Sequence, residues 1–422
     1  LSDLVGGAPD ALDTLNELAQ ALNDDADFSS WVTNQLSTKL DASTYTASDI
    51  LSKLVTVDGE NSGLDSDTLD GQHATAFDPA GTAASKVSDH EGKTDPHPQY
   101  TTETEVDEIA PKAPGVLDGL RRSVEAGSGG RMTVFYTDKG QPSYFVRQPK
   151  FLCENIAPGG ELGNGVHEAF VFPDGEDAEI WIGAYQAAII NGEAVSQPGL
   201  APEVYIDYDQ SRSACQAAGA GFDLITVWDW AAIALYAMAN GFQPRGNTNH
   251  GRHHNNRWET GARQDNGTPG ASSGIGNTLT GSGPDHWRHD GTMAGISDLV
   301  GNVWEWCGGL KLQDGTALLA SNNGVYDEAA YINTSFTMSD ANPWSSLDNT
   351  GASDALKRSL TVPNGAQDPN GRLYVNGTGE RLPFRGGNRF SAGGAGLGAL
   401  SLSGGRGQSN SRVGFRLRFR NL

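Results

Sequence analysis

The stretch RGGNRFSAGGAGLGALSLSGGRGQSNSRVGFRLRF, residues 385–419, decides how this chain is read. Its Gly and Ser content is that of a linker, yet parts of it alternate as strands do. In Ala399-Leu400-Ser401-Leu402-Ser403 the leucines fall on one face and the serines on the other. Val413, Phe415, Leu417 and Phe419 share a face opposite Arg416 and Arg418. A fixed apolar set of this kind would hold the backbone while the other face changes at little cost in stability. The bland residues then lie on a face that the backbone does not depend on.

Working outward, the composition from Phe151 onward is that of a globular domain. Eight of the nine Trp lie beyond residue 180. Residues 211–241 carry two helical patterns joined by a short strand. Ala214, Cys215 and Ala218 mark the first helix, and Trp230, Ile233, Ala234 and Ala237 give the second a buried face. Thr226 is placed to cap the second helix, with Asp229 in the capping-box position. Residues 131–153 alternate around a DKG turn and predict a hairpin. The Pro and Gly clusters at 111–130 read as joints.

The N-terminal part differs. Leu12, Leu15, Leu18, Ala19 and Leu22 form a narrow apolar stripe, continued by Phe28, Trp31, Val32 and Leu36. Such a stripe calls for a partner helix. Residues 41–115 are poor in large apolar side chains, so they read as a disordered linker or as a stalk whose core comes from several chains.

Net charge is −23 over 422 residues. That argues against a nucleic-acid partner, which would want a basic face, and against an anionic membrane. No apolar run reaches the ~20 residues of a membrane span, and LSDLVGGAPDALDTL has no signal-peptide pattern. Cys153, Cys215 and Cys307 form no CxxC pair and are expected as buried thiols rather than a disulfide framework.

Two family resemblances follow from these residues. LVGGAPDALDTLNELAQALNDD at the start, DSDTLDGQHATAF (65–77) and SDHEGKTDPHPQY (88–100) resemble segments of bacteriophage tail-fibre proteins. His73, His90 and His97 would then pack a threefold stalk or, less simply, bind a metal on its axis. DLVGNVWEW (298–306), the Cys215–Trp230 segment and the closing GFR (414–416) resemble the formylglycine-generating-enzyme-like branch of the C-type-lectin fold. Within that branch, RGGN…Ala-Leu-x-Leu…GFR resembles the variable repeat of proteins diversified by retroelements. The resemblance implies variable positions at Asn388, Phe390, Ser391, Gly394, Ser401, Ser403, Gly404, Gln408, Asn410 and Arg412. Arg389, where that family has Trp, joins them. Some members of the branch bind calcium, which would place ligands at Asp298, Gly301, Val303 and Glu305; no other cofactor is implied.

The expected fold is therefore α+β, with a C-type-lectin domain at 151–422. It follows a helical attachment module at 1–40, a trimeric stalk at 41–115, and a joint with a hairpin at 116–150. The expected role is adhesion without catalysis, at the tip of a virion tail fibre made in the host cytoplasm. Its partners would be a bacterial surface receptor, phage tail or baseplate proteins, and two further copies of itself. Enzymatic readings are weak. GASSG (270–274) lies among loop sequences rather than between a strand and a helix. HGRHHNN (250–256) fits no zinc spacing. The cysteine pair that formylglycine-generating enzymes use near their C-terminus is missing, because no Cys follows Cys307. A fixed-specificity tail fibre and a retroelement-diversified bacterial surface lectin are the competing readings.

Overall fold

The computed structural model describes residues 26–39, 46–57, 68–69, 72–73 and 115–420. The chain divides into two compact units, Leu1–Ile109 and Ala110–Leu422.

In the first unit, helices span Ala26–Lys39 and Ala47–Val57. The second helix lies where the sequence reading saw only stalk. Thr46 starts it, its hydroxyl accepting the Asp49 N–H at 3.2 Å. Ile50, Leu51 and Leu54 remain exposed on that helix, as do Trp31 and Leu36 on the first. Thr68–Leu69 and Gln72–His73 pair as a short antiparallel ladder inside the DSDTLDGQHATAF segment. The Leu12–Leu22 stripe, His90 and His97 lie outside the described residues.

The second unit is mixed α+β, and its order begins earlier than expected. Gly115–Ser128 is a helix, not a joint. The hairpin Met132–Tyr136/Pro142–Pro149 then forms one side of a five-stranded sheet. That sheet continues through Glu179–Gly183 and Leu417–Phe419 to Phe222–Leu224, every pair antiparallel. The 116–150 segment therefore belongs to the globular unit. Phe135, Phe145, Phe222 and Phe419 explain why: their rings pack together, with Phe135 and Phe419 stacked at 3.8 Å.

The capped helix Val227–Ala239 runs through the main core. Thr226 and Asp229 make both halves of the capping box. Trp228 and Trp230 are buried, and each indole N–H is satisfied, by the carbonyls of Ala320 and Leu397. Each large apolar side chain buried here contributes roughly 1.5–3 kcal/mol. Loss of the Thr226 cap would cost about 1 kcal/mol.

A second five-stranded sheet positions the site. Its order is Leu373–Val375, Gly396–Leu402, Phe384–Gly386, Trp304–Trp306, Val413–Phe415. The sheet is mixed: Trp304–Trp306 runs parallel to Val413–Phe415, and Leu373–Val375 runs parallel to Gly396–Leu402. Val413–Phe415 and Leu417–Phe419 thus lie in different sheets, and the chain changes sheet at Arg416. Leu400 and Leu402 enter the main core, whereas Ala399, on the serine face, enters a second core with Val413, Phe415 and Leu417.

This corrects the expectation that everything opposite the apolar face is free to change. Gly396–Leu402 is buried along its whole length, Ser401 included. Arg416 and Arg418 are buried as well. Neighbouring strands pair both of its edges, and a hydrophobic core on each side of the sheet closes its two faces.

Candidate functional site

The segments 388–391, 401–403 and 408–413 close around a depression of about 270 Å³. Of the eleven positions singled out in the sequence, eight line it: Asn388, Phe390, Ser391, Ser401, Ser403, Gln408, Asn410 and Arg412. They come together because Gly396–Leu402 is hydrogen-bonded to Phe384–Gly386, which leads directly into Asn388. The 403–412 loop then returns the chain to Val413, beside Trp304. The Ser401 and Ser403 hydroxyls, two residues apart on one strand face, bond each other at 2.8 Å.

The loop is held by its own short side chains. Asn388 Oδ1 accepts the Phe390 N–H at 2.8 Å, and Ser391 Oγ accepts the Asn388 N–H at 2.9 Å. Asn410 Oδ1 accepts the Arg412 N–H at 2.9 Å. These are local turns of the kind Asn and Ser make readily. They shape the rim without using core packing.

Phe390 is half-exposed at the rim with three nitrogen-rich groups around its ring. The guanidinium of Arg389 lies 4.5 Å from its centroid, that of Arg412 5.0 Å, and His250 meets it edge-on at 4.6 Å. Arg389 is buried and does not line the depression. It donates to Asn277 Oδ1 and to the Ser411 carbonyl, tying the 388–391 loop to the 408–413 loop. Burial, reinforced by nearby Arg412, lowers the Arg389 guanidinium to about 10. Burial also lowers the His250 imidazole, with Arg389 adding to it.

Two further positions stand outside the depression. A Cβ at Gly394 would lie 3.3 Å from Tyr374 Oη, so a side chain there needs that hydroxyl to give by only a few tenths of an ångström. Gly404 has none. A Cβ there would lie 2.5 Å from the Phe384 ring and 2.8 Å from Gln408 Oε1, so the rigid ring would have to shift. The steric demand of Phe384 sets Gly404 apart from the changeable positions.

Sequence reasoning missed the floor and one rim residue. Trp304, Tyr374, Phe384 and Val413 also line the depression. Trp304 meets Tyr374 edge-on at 6.0 Å, and Trp306 backs Phe384 at 4.0 Å. The WEW run at 304–306 was visible in the sequence, but which ring would lie under the 388–412 loops was not. Tyr205 was not visible at all. Its N–H donates to the Asn410 carbonyl at 3.1 Å, it is 68% exposed, and its φ is +58°. A left-handed backbone at an aromatic residue is strained, and strain of this kind tends to mark functional positions.

The positions implied for calcium are arranged otherwise. Glu305 and Arg416 are both buried, with the guanidinium 2.7 and 2.8 Å from the two carboxylate oxygens. Arg416 also donates to the carbonyls of Gly183 and Ser297. Gln186 Nε2 donates to the carbonyls of Asp298 and Val303, and to Glu305 Oε1. Asp298 accepts the Gly281 N–H, and burial raises its carboxyl to about 6. Only Gly301 among the four positions shows none of these bonds, and its N–H donates to the Gly386 carbonyl. The charge and carbonyls that would recruit calcium are thus engaged by Arg416 and Gln186. WEW and GFR are two halves of one buried ion pair.

The remaining motifs carry no assembled chemistry. GASSG lies in turns and bends. His254 pairs with Thr248 Oγ1, and His253 Nδ1 accepts the Asn256 N–H. Among the described residues no group of three or more His, Cys, Asp or Glu could hold a metal ion. All three cysteines are buried free thiols.

Among solved structures, Treponema denticola variable protein 1 is 13% identical, with a TM-score of 0.29, covering 69% of this chain and 99% of its own. The U1 variant of Major Tropism Determinant is also 13% identical, with a TM-score of 0.27, covering 68% of this chain and 70% of its own. Overlaps this loose carry no weight for function. No protein-family model and no curated protein matches the chain.

Proposed function

We propose that the protein is a binding protein without catalysis: a phage tail-fibre adhesin whose C-terminal unit, a C-type-lectin fold, presents a changeable surface to a bacterial receptor. The observation that carries this reading is convergence. Eight of the eleven positions implied by the variable-repeat resemblance line one depression over an aromatic floor. Ser401 and Ser403 bond each other, and Asn388, Ser391 and Asn410 bond loop backbone. Arg416, Glu305 and the Trp residues hold the scaffold beneath. Substitutions in the one set need not disturb the other.

The N-terminal unit supports a trimeric stalk that joins the tail and carries the tip outside the cell. Helix Ala47–Val57 leaves Ile50, Leu51 and Leu54 exposed, a face that further copies of the chain would cover. Light scattering of the full chain should give three times the 44.5 kDa monomer mass; a monomer mass would reject the stalk. The decisive experiment for the tip is sequencing of the 3′ end of the gene across a phage population. Changes confined to the codons for the eight lining residues and Gly394, beside a near-copy repeat and a reverse transcriptase, would establish diversification. Invariant codons would leave a tail fibre of fixed specificity.

A further inference from the structure

Resting on that binding reading, we propose that the depression in this version of the protein takes an acidic saccharide, a ring of a surface polysaccharide bearing a carboxylate or phosphate group. The first argument is charge. The chain carries a net −23, yet none of the twelve residues lining the depression is Asp or Glu. Arg412 is exposed, and its guanidinium makes no hydrogen bond or ion pair to any described residue; it lies 5.0 Å from the centroid of the Phe390 ring. Arg406, only six residues earlier, shows the alternative: it is paired with Asp209, Glu328 and Glu380. Arg389, behind Phe390, bonds only neutral oxygens. An anion at the rim would meet the first guanidinium directly and feel the second. The Arg fork suits carboxylate and phosphate alike.

The second argument is the lining. Three serine hydroxyls and the amides of Asn388, Gln408 and Asn410 surround the opening. Hydroxyls and amides both donate and accept, as a polyol requires. Trp304, Tyr374 and Phe384 make the floor apolar, against which the C–H groups of a sugar can pack. At about 270 Å³ the space lies just below the usual range of ligand sites, room for one ring rather than an extended chain. A protein receptor would instead want more large anchors than the half-exposed Phe390 and Tyr205 supply.

The test uses the full chain on an array of bacterial surface oligosaccharides that are carboxylated, phosphorylated or neutral, with inorganic phosphate as a soluble competitor. Binding confined to acidic members, weakened by salt, and reduced about tenfold or more in Arg412→Gln is the expected result, the loss of one charge-assisted contact. Arg412→Lys should recover part of it, and both variants should melt with the wild type. Equal binding of neutral sugars, or an unaffected Arg412→Gln, overturns the proposal. So does inorganic phosphate competing as well as the glycans, which would mean a bare anion site. Absence of sugar binding with retained binding to host cells, abolished by protease treatment of those cells, overturns it in favour of a protein receptor and leaves the adhesin reading standing. Absence of binding to both sugars and cells overturns both.

Discussion

Arg412 and Arg416 sit four residues apart and meet opposite fates. Arg416 is fully buried, bidentate to Glu305, and bonded to carbonyls of two other segments. Arg412 is exposed, with its guanidinium against the Phe390 ring. The intervening strand Val413–Phe415 separates them, lying parallel to Trp304–Trp306. One arginine fixes the point where the chain passes between two sheets, and the other is left available. The same chemical group is locked into the scaffold where a buried carboxylate meets it, as at Arg416, and is left at the surface at Arg412.

Substitutions can break or sharpen that contrast. The largest stability effect is expected for Glu305→Ala, which strands a buried guanidinium and should cost about 3–5 kcal/mol in denaturant unfolding. An unfolding midpoint near wild type would mean that Arg416 reaches water and that the contrast is overstated.

Asp298, beside that pair, gives a pH test. Its folded carboxyl is raised from 3.8 to about 6, chiefly by burial. The folded chain therefore holds a proton that the unfolded chain releases, and this contribution to stability is present below about pH 4 and lost as pH rises through about 6. Asp298→Asn removes the titration. Its stability relative to wild type should improve between pH 4 and pH 7 by about 2 to 3 kcal/mol. A constant difference across that range would show that the carboxyl is not held up. Excess calcium should leave the wild-type melting temperature unchanged; a rise would mean that the ion can displace Gln186 and Arg416 from these oxygens.

Gly404→Val should lose about 1–3 kcal/mol, because Phe384 must move. If valine is tolerated at no cost, Gly404 rejoins the changeable surface. Tyr205→Gly should be neutral or up to about 1 kcal/mol more stable through relief of the left-handed backbone, while binding to cells weakens. Weaker folding with unchanged binding would make Tyr205 scaffold. Arg412→Gln should shift stability by less than about 0.5 kcal/mol, so that any loss of binding belongs to the contact itself.

The part of the site legible in the sequence was the part built from short-range order. Alternation placed Ser401 and Ser403 on one face, and their hydroxyls do bond each other. The Thr226–Asp229 box was readable because a cap depends on residues three apart. The positions taken from the variable-repeat resemblance fell together in eight cases. Gly394, Gly404 and Arg389 did not; for the last two the surroundings come from residues distant in the chain, Phe384 for one, Asn277 and Ser411 for the other.

By itself the sequence determined the strand periods, the helix start at Thr226, the acidic balance and the absence of a cysteine pair. These depend on composition or on neighbours within one turn or one strand. Only the tertiary structure decided that Glu305 belongs to Arg416, that the 115–150 segment completes a sheet, and that Tyr205 reaches the rim. Each depends on contacts across roughly a hundred residues or more of chain, or on a sheet partner that no local pattern specifies. Burial then set which charges had to be paired and which could face a ligand.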